Sequence, residues 1–274
     1  MSAGQGRIAA AFARAKAEKR AALVVYLTAS DPDAETSKRL MLAAAEAGAD
    51  IIEIGVPWSD PSADGKVIQA AIHRALLAGG GLRHTLPICR AVRDAHPDLG
   101  IVLFGYANPI VISGPQTFTR KAAAAGADAV LCVDYPPDED PELTSALAAG
   151  GLDYVPLIAP TSTPARIDAA IAAAGGFIYY VSMTGITGTA LADLDAPRTQ
   201  VAAIRERSGG KIPIAVGFGI RTPSAARAIA SFADGVVVGS AAVELVHTAV
   251  TAGRDPVPEL AAFVRSLRDA ISRP

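Results

Sequence analysis

The densest chemistry in this 274-residue chain lies in the stretch Ile51-Ile52-Glu53-Ile54-Gly55-Val56-Pro57-Trp58-Ser59-Asp60-Pro61-Ser62-Ala63-Asp64-Gly65. Glu53 stands among isoleucines, and Asp60 and Asp64 follow in a polar stretch punctuated by Pro and Gly. A carboxyl in apolar surroundings is costly unless it is paired, hydrogen-bonded or protonated. One held protonated is a proton donor at neutral pH, so Glu53 is the first candidate for chemistry. The competing reading is a structural acid satisfied by a partner in the interior. Asp60, in Ser-Asp-Pro, reads as a turn former. Asp64 reads as a second functional carboxylate, as a turn residue before Gly65, or as the cap of a helix starting near Lys66.

A second group of residues suits an anion. Gly217-Phe218-Gly219 and Gly239-Ser240 each follow an apolar β-branched run, and residues 241–247 after the second have helical spacing. Gly185-Ile186-Thr187-Gly188 follows a third such run. Glycines let backbone N–H groups approach phosphate oxygens, and a helix N-terminus favours the negative charge. No Walker-type GxxxxGK[ST] occurs, so a nucleoside triphosphate is not indicated.

The elements that must position these groups repeat along the chain. Short apolar runs at 23–27, 50–54, 101–104, 129–133, 154–158, 177–181, 212–216 and 236–238 read as eight strands. They lack alternation, which suits strands buried on both faces of a parallel sheet. Ala-rich segments at 33–47, 66–78, 116–125, 164–174 and 223–232 read as helices between them. Ala47-Gly48-Ala49-Asp50 and Ala125-Gly126-Ala127-Asp128 each close a helix and open a strand, as do Gly150-Gly151, Gly175-Gly176, Gly209-Gly210 and Asp234-Gly235. Eight strand–helix units predict a single α/β domain over residues 1–274, a (β/α)8 TIM barrel. An amphipathic helix over residues 6–20, with Ile8, Phe12 and Ala15 on one side, is expected to cap its bottom. Extra helices are expected after the second strand, at 82–95, and after the eighth. A doubly wound open sheet is the alternative, but Thr28-Ala29-Ser30-Asp31-Pro32 after the first strand lacks the glycine fingerprint of that fold.

A barrel places its active site at the C-terminal strand ends. Beyond Glu53 and Asp64, the candidates there are Tyr106, Asn108, Asp134, Tyr135, Thr161, Tyr179, Ser182, Thr184 and Thr187. Tyr26, Tyr106 and Tyr179 taken singly also read as core or rim aromatics. The net charge of −2 offers no field for nucleic acid or an anionic membrane, and no apolar run reaches membrane-spanning length. Cys89 and Cys132 form no CxxC pair, so neither a metal site nor a disulfide framework is expected. A reducing cytoplasm fits, and the first twenty residues do not read as a signal peptide.

The segment from Glu53 to Gly65 resembles the signature of the tryptophan synthase α subunit family. The resemblance runs along nearly the whole chain, through Leu27–Pro32, Tyr106-Ala-Asn108, Ala159-Pro-Thr-Ser162, Gly185-Ile-Thr-Gly188, Gly217-Phe-Gly-Ile220 and Val238-Gly-Ser240. It implies a lyase that cleaves indole-3-glycerol phosphate to indole and glyceraldehyde 3-phosphate. Glu53 would be the acid/base and Asp64 the partner of the indole nitrogen. Tyr179 would lie beside Glu53, Tyr106 would contact substrate, and Phe104 and Phe218 would line the indole pocket. Thr187 would sit on a closing loop, and Gly188, Gly219, Gly239 and Ser240 would hold the phosphate. The resemblance further implies no metal and no cofactor in this chain. A β-subunit partner in an α2β2 assembly would carry pyridoxal phosphate and receive the indole. Lys66 stands where the family usually has proline, and Tyr26 and Leu27 stand where Phe and Val are frequent. A stand-alone indole-releasing lyase, another phosphate-sugar barrel enzyme, and a weakly active regulatory subunit are the alternatives.

Overall fold

The structure, a computed structural model, describes residues 6–137, 141–181, 194–217 and 219–272. Its strands are β1 (Ala22–Thr28), β2 (Ile51–Gly55), β3 (Gly100–Gly105), β4 (Ala129–Cys132), β5 (Asp153–Tyr154), β6 (Leu157–Ile158), β7 (Ile178–Val181), β8 (Ile214–Gly217) and β9 (Gly235–Val238). All pair in parallel, in the order β5-β4-β3-β2-β1-β9-β8-β7-β6. The two end strands are halves of one extended stretch, split at Val155-Pro156. On one side the Val155 N–H donates to the Val130 carbonyl (2.9 Å), and on the other the Tyr179 N–H donates to the Pro156 carbonyl (3.0 Å). The sheet is therefore a closed (β/α)8 barrel whose fifth strand is interrupted. Pro156 has no N–H to give the ladder, which breaks the expected strand at 154–158 in two.

Helices follow in the connections: α1 (Arg7–Ala17), α2 (Ala34–Glu46), α3 (Lys66–Leu77), α4 (Leu82–Ala95), α5 (Ala107–Ser113) and α6 (Pro115–Ala124). The second half adds α7 (Glu142–Ala149), α8 (Pro164–Ala173), α9 (Asp195–Arg207), α10 (Pro223–Ala230), α11 (Ser240–Thr251) and α12 (Pro256–Ala270). The extra helices after the second and last strands are present as α4 and as the pair α11 and α12. The third connection also carries two, α5 and α6. The short α5 has no strong apolar period of its own, so its sequence reads as loop.

Burial on both faces explains the missing alternation. Leu23, Val25, Leu27, Ile52 and Ile54 face the helices. Val24, Ile51, Val102, Ala129, Leu131, Val155, Phe177, Ala215 and Val237 fill the barrel interior. Ile8, Ala11, Phe12 and Ala15 of α1 complete that interior cluster, with the Phe12 and Phe177 rings 5.5 Å apart. The N-terminal helix thus plugs one end of the barrel, as its spacing predicts.

The plugged floor also holds two buried carboxylates, Asp50 and Asp128, and a half-buried one, Asp234. Asp50, Asp128 and Asp234 each stand just before a strand and accept an N–H at the start of a neighbouring strand, from Leu23 (2.8 Å), Ile101 (2.8 Å) and Ile214 (3.0 Å) respectively. Each also meets guanidinium: Arg20 grips Asp50 with two nitrogens, Arg7 and Arg93 bracket Asp128, and Arg205 meets Asp234. The Ala-Gly-Ala-Asp junctions therefore do more than punctuate. Their aspartates fix strand register at the closed end.

Candidate active site

At the opposite, C-terminal end of the barrel the carboxylates are treated differently. Glu53 is the middle residue of β2 and faces inward with Ile51 and Gly55, since alternate residues share a face. It is 1% exposed, and its Oε1 has no hydrogen-bond partner among the described residues. Burial pushes its carboxyl up from 4.5 to about 8, with no cation opposing the shift. The reading of Glu53 as a structural acid with an interior partner is therefore not supported.

Asp64 lies in the loop after β2, partly buried. Its Oδ2 accepts the Tyr106 hydroxyl at 2.6 Å, and that hydroxyl oxygen accepts the Ala63 N–H at 3.1 Å. The loop is further tied by Gln69, whose amide donates to the carbonyls of Asp64 (2.8 Å) and Pro61 (3.2 Å). Burial raises the Asp64 carboxyl above its ordinary value, and the Tyr106 hydrogen bond pulls it back. Asp64 does not cap α3. The cap position is Gly65, without a side-chain bond, so the cap reading gives way to a carboxylate turned toward Tyr106. Asp60 is exposed and accepts the neighbouring Ser59 hydroxyl, as a turn residue would. Lys66 is exposed at the first position of α3 and makes no ion pair among the described residues.

Two tyrosines complete the mouth. Tyr26 is the register partner of Glu53 on β1, and its ring meets Phe104 of β3 edge-on at 5.1 Å. Its hydroxyl occupies the place where a side chain at Gly55 would begin, 2.2 Å from an ideal Cβ there. Tyr179 on β7 does the same over Gly217, also at 2.2 Å. Burial and the Glu53 and Asp64 carboxylates raise the Tyr179 hydroxyl well above its usual value. Tyr26 is raised by burial first and then by Asp64, with Glu53 adding a smaller push. Both phenols thus stay protonated and belong electrostatically to the carboxylate pair. The sequence points to Tyr179 through its strand end. It leaves Tyr26 as a core aromatic, although the inward positions 22, 24 and 26 of β1 carry the signal.

On the other side of the mouth, Gly219 adopts a positive φ of 50°, and Gly239 precedes α11, whose first residue is Ser240. The first-turn N–H groups of a helix have no partners within it, so the α11 N-terminus is suited to an anion. A Cβ on Gly239 would touch the Tyr26 Cβ at 3.3 Å, which joins this end to the carboxylate end. Asp134 and Tyr135 also tie the rim together: Asp134 accepts the Ala107 N–H (2.7 Å), and the Tyr135 hydroxyl accepts the Leu143 N–H (3.1 Å). Asn108 and Thr161 are exposed. Ser182, Thr184, Thr187, Gly188 and Phe218 lie outside the described residues. Among the described residues, no group of His, Cys, Asp and Glu is arranged to hold a metal.

The sequence profile of the family described as tryptophan synthase alpha chain matches residues 12–272. The tryptophan synthase alpha chain of Zymomonas mobilis is 44% identical over 269 residues, covering 97% of this chain and 96% of that protein. That of Rhizorhabdus wittichii is 46% identical over 263 residues, covering 94% and 96%. Among solved structures, tryptophan synthase subunit alpha from Legionella pneumophila superposes with a TM-score of 0.90 at 36% identity, covering 97% of this chain and 98% of that one. A chain of Mycobacterium tuberculosis tryptophan synthase gives 0.88 at 38% identity, covering 98% and 99%.

Proposed function

The chain belongs to the tryptophan synthase alpha chain family, and from that premise we infer which of its groups carry the reaction. The protein is a lyase that cleaves indole-3-glycerol phosphate to indole and glyceraldehyde 3-phosphate, working with a β subunit in tryptophan synthesis. The carbon–carbon cleavage is a retro-aldol step. Indole becomes a leaving group when its C3 takes a proton and its nitrogen carries the resulting positive charge.

We assign the proton to Glu53. With its carboxyl near 8, Glu53 is mostly protonated at neutral pH and can deliver a proton to C3. Its carboxylate then takes the proton from the hydroxyl on the adjacent carbon. The C3–carbon bond breaks, its electrons restore the indole ring, and the hydroxyl carbon becomes the aldehyde. One proton has moved from oxygen to C3, and Glu53 is protonated again. Asp64, steadied by the Tyr106 hydroxyl, is assigned to the indole N–H, where a carboxylate would stabilise the developing charge. Phe104 and Phe218 would flank the ring, with Tyr179 beside Glu53. Gly188, Gly219, Gly239 and Ser240 would receive the phosphate, and Thr187 would lie on a segment that closes over it.

The observation that carries this reading is the buried Glu53, uncompensated on a rigid strand. The same reading takes residues 1–274 as one domain and the assembly as α2β2. It leaves pyridoxal phosphate to the β subunit, with no cofactor required here, and places the enzyme in the cytoplasm. No helix among the described residues is long and apolar enough to cross a membrane. The test is indole release from indole-3-glycerol phosphate, with and without the β subunit. Turnover in the wild type that disappears in Glu53→Gln supports the assignment. No indole under either condition contradicts it.

A further inference from the structure

Tyr26 has a polar function to which the retro-aldol scheme gives no part. Positions 26 and 28 of β1 share the inward face, as do Glu53 and Gly55 of β2. Tyr26 pairs with Glu53, and Thr28 pairs with Gly55, which in turn pairs with Phe104. The Tyr26 hydroxyl leans into the inward place left open at Gly55. It therefore sits one layer above the Glu53 carboxyl on β2 and beside the Phe104 ring. A side chain of any size at position 55 would collide with it.

The rest of the side chain is fixed from all sides. Ile68, Ala71 and Ile72 of α3 and Val243 of α11 pack around it, and its Cβ lies against Gly239. One residue thus spans the mouth from the anion-binding end to the carboxylate end. The hydroxyl oxygen accepts the Thr28 hydroxyl at 3.3 Å. Its own proton has no acceptor among the described residues. A buried O–H with a filled acceptor side and an open donor side is poised to donate to an arriving oxygen.

We propose that Tyr26 is a substrate-orienting group whose hydroxyl donates to a hydroxyl oxygen on the three-carbon chain between the ring and the phosphate. The proposal rests on the lyase reading and deepens it. The chain of the substrate must cross between the Gly239 end and the Glu53–Asp64 end, and Tyr26 is the side chain that spans them. Fixing one hydroxyl sets the rotation of the chain, so that the hydroxyl next to the scissile bond faces Glu53. The phenol moves no proton itself, because its environment keeps it protonated.

The test is Tyr26→Phe, which keeps the ring and removes one oxygen, in the full-length chain assayed with its β subunit. The expected result is a fall of about tenfold in kcat/KM for indole-3-glycerol phosphate, the scale of one buried hydrogen bond. The dissociation constant of 3-(indol-3-yl)propyl phosphate, which has the ring and phosphate but no hydroxyls, should stay within about twofold. Thr28→Val should cause a smaller loss on the same substrate and none on the analogue. An unchanged kcat/KM overturns the proposal. So does an equal loss for substrate and analogue, which would mark Tyr26 as packing only. A wild type that releases indole normally beside a normal Tyr26→Phe sinks this inference and leaves the lyase reading standing. An inactive wild type sinks both.

Discussion

The barrel treats buried acids in opposite ways at its two ends. At the floor, Asp50 and Asp128 are buried, yet each accepts backbone N–H and guanidinium donors. At the mouth, Glu53 is as deeply buried and its Oε1 has neither. A buried carboxylate that keeps its partners fixes strands in register. One without partners gives up its charge and gains a proton it can transfer. The floor is built to be stable, and the mouth carries an acid that costs stability whenever it ionises.

Substitutions can break that contrast. The largest effect should come from Glu53→Gln, which keeps the shape and removes the proton. Indole formation should fall by about a thousandfold or more, in the range of general acid–base contributions. The same variant should be more stable than the wild type in alkali. The folded state keeps the Glu53 proton that the unfolded chain loses above its ordinary 4.5, so wild-type stability declines as pH rises from there through about 8. Chemical denaturation at pH 6 and pH 9 reads this out: the variant's advantage should grow with pH, and a constant difference would contradict the account.

Asp128→Ala should act in the reverse sense. It removes the charge partner of Arg93, which keeps only carbonyl acceptors, and of Arg7, and takes the side-chain acceptor from the Ile101 N–H. Unfolding free energy should drop by roughly 3–5 kcal/mol, the usual cost of breaking a buried pair. The pH profile of whatever activity remains should keep its shape. A shifted profile would mean that floor and mouth are not separate.

The smallest effect should come from Tyr106→Phe. The Tyr106 hydrogen bond lowers the Asp64 carboxyl, so losing it should move the acid limb of kcat/KM to higher pH and leave the alkaline limb in place. An unmoved acid limb would separate Tyr106 from the function of Asp64.

How much of this was legible beforehand follows from the range of each interaction. The barrel was readable because apolar runs and Gly-Ala-Asp junctions are local and repeat. The burial of Glu53 is legible because one acid among isoleucines is a local anomaly. The Asp64–Tyr106 bond joins residues 42 apart on adjacent loops, and only the register of β2 and β3 brings them together. Asp50 and Asp128 read as turn punctuation because their guanidinium partners come from α1, α4 and the segment before β1. Tyr26 looked like any strand aromatic, since its hydroxyl acquires meaning only from the empty side of Gly55 across the strand pair. The broken fifth strand was signalled by Pro156, whose missing N–H was present in the sequence from the outset.

The central claim is that Glu53 is an uncompensated buried acid, and titrating its carboxyl tests that most directly. Carboxyl 13C spectra of the wild type, with the Glu53→Gln spectra subtracted, should give a Glu53 midpoint near 8. A midpoint close to the ordinary 4.5 would show that the carboxyl is ionised at neutral pH and would contradict its assignment as the proton donor.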